Sequence, residues 1–405
     1  MKVAIVGGGT GGHIYPALAI AEELQKRELN TKILFIGSQE GLERELLPKE
    51  RFAFVTVRSR GMLRKLSYKA FSAPFVSIIG FFQAYRILKF FSPKILISTG
   101  GYVSFPVAFA ARLLRIPVLI HELNAIPGLS NKICSFFAKK VTVSFPETRK
   151  FFPRKKAFFT GTPVRNKITS AIKEVSRSRL GLYLKRKTIL ILGGSQGAQK
   201  LNIIVPEILE DLCRENCQVI HITGKKDYDH IVSLTKNLNL VHVDSSVVRQ
   251  GRRKKEVKKT YKLYNPILYM YNIWDGLASA DLIISRAGGS TLGEILARGL
   301  PSILIPFPYS AGRHQERNAK ILEKAGAAIL LKNEELSPDY LLSIIRKLLS
   351  EKGEMESIAE AARNLSSPEA SKIIVDIIYE ILNLPKVIKQ KPGRAGRKKK
   401  RVSKQ

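Results

Sequence analysis

The sequence predicts an α/β protein built from two similar parallel-sheet domains facing one another across a cleft. Three observations carry that expectation. An apolar strand, a glycine turn and a helix start open the chain within residues 3–19; strands then alternate with helices; and the same opening restarts at residue 188. Alternation at this spacing implies a mostly parallel sheet, and the crevice between two such sheets is the default ligand site.

In chain order, Val3-Ala4-Ile5-Val6 reads as a buried strand and Gly7-Gly8-Gly9-Thr10-Gly11-Gly12 as a turn, with Pro16 marking the first turn of the next helix. Such a turn offers backbone N–H groups and the positive end of a helix dipole to an anion. Bare glycines at 7, 9, 11 and 12 would let a ligand come close. His13 stands at the lip, the one side chain there able to move a proton near pH 7. Further strands are expected at 32–37, 52–57, 94–99, 118–122 and 141–143, with helices near 41–47, 107–114 and 130–137.

Residues 64–91 form a long amphipathic region, with Leu66, Phe71, Phe75, Ile78, Ile79, Phe81 and Phe82 flanked by Arg64, Lys65, Lys69, Arg86 and Lys89. It reads either as a membrane-surface element or as a helix buried in the first domain. Residues 146–187 are the junction. The second domain opens with the strand 188–192, the turn Gly193-Gly194-Ser195-Gln196-Gly197-Ala198 and a helix from Leu201, followed by strands at 219–223, 282–285 and 302–306.

Length and composition agree with this plan. A chain of 405 residues suggests two domains of about 150–200 residues. Cys134, Cys213 and Cys217 are too few and too scattered for a disulfide frame or a zinc set, which fits a reducing cytosol. No signal peptide is visible, and the apolar run from Ala70 to Tyr85 is too short to span a bilayer and contains Pro74, so the expectation is a soluble or surface-attached protein. The net charge is +35; residues 386–404 hold ten Lys/Arg and no acid, and residues 249–262 hold eight against one Glu, together 17 of the 35. The remainder still favours an anionic partner such as acidic lipid or nucleic acid. The stretch 249–262 reads as a basic insertion and 386–405 as a disordered basic tail, with membrane contact or solubility favoured over a nucleic-acid arm.

Other motifs are weighed in the same way. Gly7, Gly9 and Gly12 satisfy G-x-G-x-x-G, but a dinucleotide fold needs an acid at the end of strand two, where the chain offers Gly37-Ser38-Gln39 with Glu40 a little late. Gly193-Gly194-Ser195-Gln196-Gly197 matches a hydrolase elbow; the duplication with 7–13 favours a phosphate-binding turn instead. Ser285 to Glu294 is a strand, a glycine turn and a helix opened by Ser290/Thr291, with Glu294 placed to accept two ribose hydroxyls. Gln315 and Asn318 suit sugar hydroxyls, although Asn318 could equally cap or pack; His121-Glu122-Leu123-Asn124 ends a strand beside the crevice.

Together, Gly8 to His13, Gly100-Gly101-Tyr102-Val103-Ser104-Phe105-Pro106, His121 to Asn124 with Gly128 and Asn131, Gly161-Thr162-Pro163-Val164-Arg165, Gly193 to Ala198, Ser285 to Glu294, and His314-Gln315 with Asn318-Ala319 resemble the MurG family. These are the undecaprenyl-diphospho-muramoylpentapeptide β-N-acetylglucosaminyltransferases of glycosyltransferase family 28. The resemblance runs in order from residue 1 to about 384. It implies a GT-B fold of two Rossmann-like domains, 1–160 for acceptor and membrane and 161–370 for the UDP-sugar, with 371–385 a helix packing back on the first domain. It implies inverting transfer of GlcNAc from UDP-GlcNAc to lipid I (undecaprenyl-diphospho-MurNAc-pentapeptide), forming lipid II in peptidoglycan synthesis, at the cytoplasmic face of the inner membrane. Cell-wall biogenesis, cell shape and division would depend on it.

By motif, the resemblance puts Glu294 on the ribose, Ser195 and Arg165 on the diphosphate, Gln315 on the GlcNAc hydroxyls and the uracil at the backbone near Met270, with Gly289, Ser290, Thr291, Leu292 and Gly293 around the nucleotide. Thr10, Gly11, Gly12 and Asn124 would close on the sugar, and Gly9, Tyr102, Ser104, His121 and Glu122 would face the acceptor. Leu123 departs from the family's usual Gln. Single displacement needs a base and positive potential for the departing UDP; His13 is the candidate base, or else only a substrate binder. Helix N-termini and Arg165 can carry the leaving charge, so no cofactor and no metal is required. Phe71, Phe75, Ile79 and Phe82 would then dock on the anionic membrane where lipid I lies. Nucleic acid is not an expected partner.

Overall fold

Val3-Ala4-Ile5-Val6 lies within β1 (Lys2–Gly7), and its unbroken apolar run follows from burial on both faces of the sheet. Val3 and Ile5 point into the layer that holds α1 (Gly11–Arg27), and Ala4 and Val6 into the opposite one. β2 (Lys32–Ser38) leads to α2 (Glu43–Leu46), and β3 (Ala53–Val57) to α3 (Tyr68–Phe91). Then come β4 (Ile95–Gly100), α4 (Ser104–Leu113), β5 (Val118–Glu122), α5 (Leu129–Cys134), β6 (Lys140–Val143) and β7 (Ala157–Phe159). The seven strands form one parallel sheet in the order β3-β2-β1-β4-β5-β6-β7.

This computed structural model describes residues 1–385 except 40, 60–67, 195–197, 239 and 251–252, with the backbone alone at 68–75, 242–250 and 253–259. Ser195, Gln196 and Gly197, the tail 386–405, Arg64, Lys65 and Leu66, and the side chains of Lys69, Phe71 and Phe75 therefore lie outside the described residues.

The chain crosses to the second domain through residues 160–165, then runs α6 (Asn166–Ser170), α7 (Lys173–Arg179), β8 (Lys187–Leu192), α8 (Gln199–Arg214), β9 (Cys217–Ile222) and α9 (Tyr228–Thr235). After a hairpin, β10 (Val241–Gln250) and β11 (Arg253–Lys262), come β12 (Tyr264–Ile267), α10 (Ile273–Ser279), β13 (Leu282–Ser285), α11 (Gly289–Arg298), β14 (Ser302–Leu304), α12 (His314–Lys324) and β15 (Ile329–Leu330). The second sheet is also parallel, in the order β12-β9-β8-β13-β14-β15. Two parallel α/β sheets face to face are the GT-B architecture the sequence predicts.

After α13 (Pro338–Ser350) and α14 (Glu354–Leu365) the chain crosses back, and α15 (Ala370–Ile381) packs on α1. Ile374, Val375, Ile377, Ile378 and Tyr379 enter the first domain's core beside Val3, Ile5 and Ile14. The two crossings meet where Gly161, at φ +77°, lies against Ser367; a Cβ there would strike the serine side chain. A cavity of about 630 Å³ lies along these crossings, walled by Glu22, Phe145, Thr162, Leu296, Ser366 and Lys372 among others.

Three expectations change in the structure. The first helix starts at Gly11, so Pro16 is interior to it and, lacking an N–H, leaves the Gly12 carbonyl without its helical partner. The glycines at 7 and 9 serve the protein's own packing: a Cβ on them would meet the Thr99 hydroxyl and the Tyr102 ring, while one on Gly11, which lines the cleft, would press on the Tyr15 ring. Gly12 alone of the four looks across towards Ser290 of the other domain. The basic insertion is longer than 249–262, because strand pairing with Lys262 begins at Val241, and Leu263 N–H closes the hairpin base on the Leu240 carbonyl at 2.9 Å.

The helix of the 64–91 region, α3, has one buried and one exposed face. Ala84 and Leu88 are buried in the core that α4 shares and Gly80 lies against the Arg58 carbonyl, whereas Ile78, Ile79 and Phe82 are exposed. Phe81 bridges them, its ring 5.6 Å from that of Phe109 on α4.

Candidate functional site

The C-terminal ends of both sheets open on one cleft of about 800 Å³. Thr10, Gly11, Gly12, His13 and Asn124 form one wall; Met270, Gly289, Ser290, Thr291, Glu294 and Gln315 form the other. The structure thus brings together most of the residues that the sequence singled out. The domains touch across the cleft: the Tyr15 and Tyr269 hydroxyls are 2.6 Å apart, and the Lys49 ammonium stands 3.3 Å above the Tyr271 ring centre.

His13 is fixed by Thr99. Its Nδ1–H donates to the Thr99 carbonyl at 2.9 Å, and the Thr99 hydroxyl donates to the His13 carbonyl at 2.8 Å. The carbonyl can only accept, so Nδ1 carries the proton and Nε2 keeps its lone pair. Burial holds the imidazole below its usual range; the Thr99 bond opposes this, His314 adds to it and Glu43 opposes it. A neutral imidazole with a free nitrogen is the form a general base requires.

The turn that leads into the helix of His13 is shaped by Glu43, which the sequence reading missed. Its buried carboxylate accepts from the Gly9 N–H at 3.0 Å and from the Ser38 N–H and hydroxyl, both at 2.7 Å. Where a dinucleotide fold places an acid for ribose, this acid binds the protein's own backbone. Its signal was an acid five residues beyond Ser38 rather than directly after the strand.

The opposite wall is the start of α11. Gly288 caps it in an extended conformation with no side-chain capping bond, so the first-turn N–H groups of Gly289, Ser290 and Thr291 are open to an anion. Leu292 and Gly293 do not reach the cleft: Leu292 is in the core and Gly293 lies against Thr162. Glu294 is 7% exposed, and burial pushes its carboxyl up to about 8, with Arg165 pulling the other way. Gln315 accepts the Phe307 N–H on Oε1 at 2.9 Å, which turns its NH₂ group elsewhere.

Several predicted residues are spent on the protein itself. Tyr102 donates to the Ser38 hydroxyl at 3.1 Å and Ser104 to the Gly100 carbonyl at 2.7 Å, and neither lines the cleft. His121 is fully buried between Thr142 and Ser144, and burial takes its pKa to about 3, so it stays neutral. Glu122 accepts from the Asn124 N–H and side chain, the Gly128 N–H and Asn131. Burial raises its pKa, and those four bonds lower it. It is the hub of the 123–131 loop rather than an acceptor ligand.

Arg165 is also absent from the cleft lining. Its guanidinium binds Glu22 at 2.6 Å and Glu50 at 2.7 Å, both on the first domain, and lies over Trp274 of the second. The arginine that does line the cleft is Arg286, whose Nη1 donates to the Ile305 and Pro306 carbonyls and to Asn333. Burial brings it down to about 10, still charged at neutral pH. Asp227-Tyr228-Asp229 is a D-x-D acid pair, where the expectation of a metal-free reaction counted none; it begins at the cleft edge, and Asp227 accepts from Asn202 at 2.7 Å. No cluster of three or more potential metal ligands occurs among the described residues.

Comparison with known proteins places this geometry. The family model for the glycosyltransferase family 28 N-terminal domain matches residues 3–143, and that for the family's C-terminal domain matches residues 188–375. The UDP-N-acetylglucosamine--N-acetylmuramyl-(pentapeptide) pyrophosphoryl-undecaprenol N-acetylglucosamine transferase of Caldanaerobacter subterraneus subsp. tengcongensis is 42% identical over 382 residues, covering 94% of this chain and 100% of the relative. The protein of the same name from Desulforamulus reducens is 38% identical over 386 residues, 94% of this chain and 99% of its own. Among solved structures, Acinetobacter baumannii MurG superposes with a TM-score of 0.66 at 29% identity, covering 94% of this chain and 99% of that one. The S. aureus MnaA–UDP co-structure, at TM-score 0.67 and 12% identity over 98% and 100%, shares the fold alone.

Proposed function

The chain belongs to glycosyltransferase family 28, and from that premise we infer that it transfers N-acetylglucosamine from UDP-GlcNAc to undecaprenyl-diphospho-MurNAc-pentapeptide, lipid I, giving lipid II. The observation that carries the reading is the pairing of His13, neutral with Nε2 unbonded to Thr99, with the open first turn of α11 and Glu294 on the facing wall.

The reaction is a single displacement. His13 Nε2 takes the proton of the acceptor sugar hydroxyl as that oxygen bonds to C1 of GlcNAc. The bond from C1 to the diphosphate oxygen breaks from the opposite side, so an α-linked donor gives a β-linked product. The leaving UDP carries the electron pair, and its charge is met by the N–H groups of Gly289, Ser290 and Thr291 and by Arg286. Ser195 joins the diphosphate in this assignment, Glu294 takes the ribose, the backbone at Met270 the uracil, and the Gln315 NH₂ group and Asn124 the GlcNAc hydroxyls. The acceptor diphosphate meets the first turn of α1 at Gly11 and Gly12.

The protein works as a peripheral enzyme at the cytoplasmic face of the inner membrane, in the pathway that supports cell-wall growth, shape and division. Among the described residues no helix is long and apolar enough to cross a membrane. The exposed Ile78, Ile79, Phe82, Phe105 and Phe109, with Arg86, Lys89 and Arg112 nearby, supply an apolar surface with a basic margin suited to anionic lipid.

Incubation of the purified protein with UDP-GlcNAc and a lipid I analogue should yield the disaccharide product and UDP. Absence of transfer, with UDP-GlcNAc shown not to bind, overturns the reading.

A further inference from the structure

Asn318, on α12 of the second domain, has no exposed surface, yet its amide reaches the first domain. Its Oδ1 accepts from the Ala125 N–H at 2.8 Å, and its Nδ2 donates to Asn124 Oδ1 and to the Ala287 carbonyl, both at 3.1 Å. The chemistry fixes both amide orientations. The Ala125 N–H can only donate, so Asn318 must present oxygen there. Asn124 in turn meets a carboxylate: its N–H and Nδ2 donate to Glu122 Oε1 at 2.9 and 3.2 Å, which leaves Asn124 Oδ1 for Asn318.

A continuous chain of bonds therefore runs from Glu122 through Asn124 and Asn318 to Ala287, one residue before the cap of α11. It crosses the domain boundary and exists only while the domains are together. The approach is tight at the same place: a Cβ on Gly289 would stand 2.5 Å from the Leu123 carbonyl oxygen and 3.1 Å from Asn124 Oδ1. Of the two, Asn124 lines the cleft and Asn318 does not.

We propose that Asn318 is a positioning residue for the transfer reaction: it sets the Asn124 amide in the cleft and ties that act to domain closure, rather than touching the sugar itself. The proposal rests on the glycosyltransferase reading above. Because the nucleotide is assigned to the second domain, loss of Asn318 should fall on turnover and spare UDP affinity. A fully bonded buried amide leaves three partners without it when it is removed, two of them on the loop 123–128, so that loop should loosen.

The test compares wild type, Asn124→Ala, Asn318→Ala, Asn318→Asp and the Asn124→Ala/Asn318→Ala double variant, with melting curves as a folding control. Asn318→Ala should lower kcat at least tenfold while UDP binding by calorimetry stays within about threefold. In the Asn124→Ala background the same change should cost less than about twofold. Asn318→Asp keeps an acceptor for Ala125 but turns oxygen towards two oxygens, so it should be no better than alanine. Hydrogen exchange at 123–128 in the UDP-GlcNAc complex gives a readout independent of turnover and should rise in both Asn318 variants. Multiplicative losses in the double variant, UDP affinity falling as far as kcat, or unchanged exchange overturn the proposal. A wild type that binds UDP-GlcNAc without transferring sugar strikes the functional reading instead, and the exchange result still decides the role of Asn318.

Discussion

The imidazole of His13 hangs on a single backbone carbonyl, that of Thr99, 2.9 Å from Nδ1. Because burial keeps the ring neutral below its ordinary range, the active form is present above the lowered pKa and is lost by protonation below it. kcat/KM should therefore rise from acid pH with an apparent pKa under 6.5 and then level off. His13→Ala should cost about 10²–10⁴ in kcat, remove that acid limb and leave donor affinity nearly unchanged. Equal losses in turnover and in donor affinity would make His13 a binder only.

Glu294 carries a proton at neutral pH in the free protein, since burial lifts it to about 8. Two ribose hydroxyls donating to the carboxylate favour its anion, so UDP binding near pH 7 should release a proton. Calorimetry in two buffers of different ionisation enthalpy measures this directly, and affinity should strengthen as pH rises from 6.5 to 9. Glu294→Gln should abolish the release. Identical binding enthalpies in the two buffers for the wild type contradict the ribose assignment.

Arg165 is 3% exposed and bridges Glu22 and Glu50, themselves partly open to water. Removing it strands two carboxylates that can partly rehydrate, so Arg165→Ala should cost about 2–4 kcal/mol, towards the lower part of what breaking buried pairs costs. Arg165→Lys, unable to fork between two acids, should fall between. Chemical denaturation reads the loss, and UDP affinity should change less than about threefold. A collapse of UDP affinity with stability intact would return Arg165 to the diphosphate, where the family resemblance places it.

Phe82 and Phe109 are 61% and 41% exposed on neighbouring helices. Inserting a phenylalanine into an apolar layer yields about 1.5–3 kcal/mol. Phe82→Asp with Phe109→Asp should therefore lower partition onto phosphatidylglycerol vesicles by at least about tenfold. Transfer to a vesicle-embedded acceptor should fall in parallel, and transfer to a soluble short-chain acceptor should hold. Unchanged vesicle binding would move the membrane surface elsewhere.

Both sheets were legible because parallel strands covered on two faces are written as short apolar runs, and a second strand–glycine–helix start is hard to produce by chance. The placement of His13 and of the first turn of α11 at the cleft was legible for the same reason, since both follow directly on a strand and a glycine turn. What escaped notice depends on partners far away in the chain. Arg165 meets carboxylates 143 and 115 residues earlier, and no local pattern marks such a pairing. His121 and Glu122 looked like ligands because polar groups at strand ends face the crevice, but Thr142, Ser144 and Asn131 satisfy them from within. Glu43 and the early start of α1 were missed where glycines blur the helix boundary, and Asp227-Tyr228-Asp229 was overlooked outright.

The return of α15 to α1 has a consequence for how the molecule is made. The first domain's core includes Ile374, Val375 and Ile378, which leave the ribosome about 370 residues after β1. Throughout that interval α1 carries an apolar stripe with nothing to cover it, while the whole second domain is synthesised. The nascent chain must therefore hold a half-finished first domain in solution, a natural client for a chaperone, and the docking of α15 acts as the closing step for that core. A stop codon anywhere before residue 370 would leave that stripe open for good.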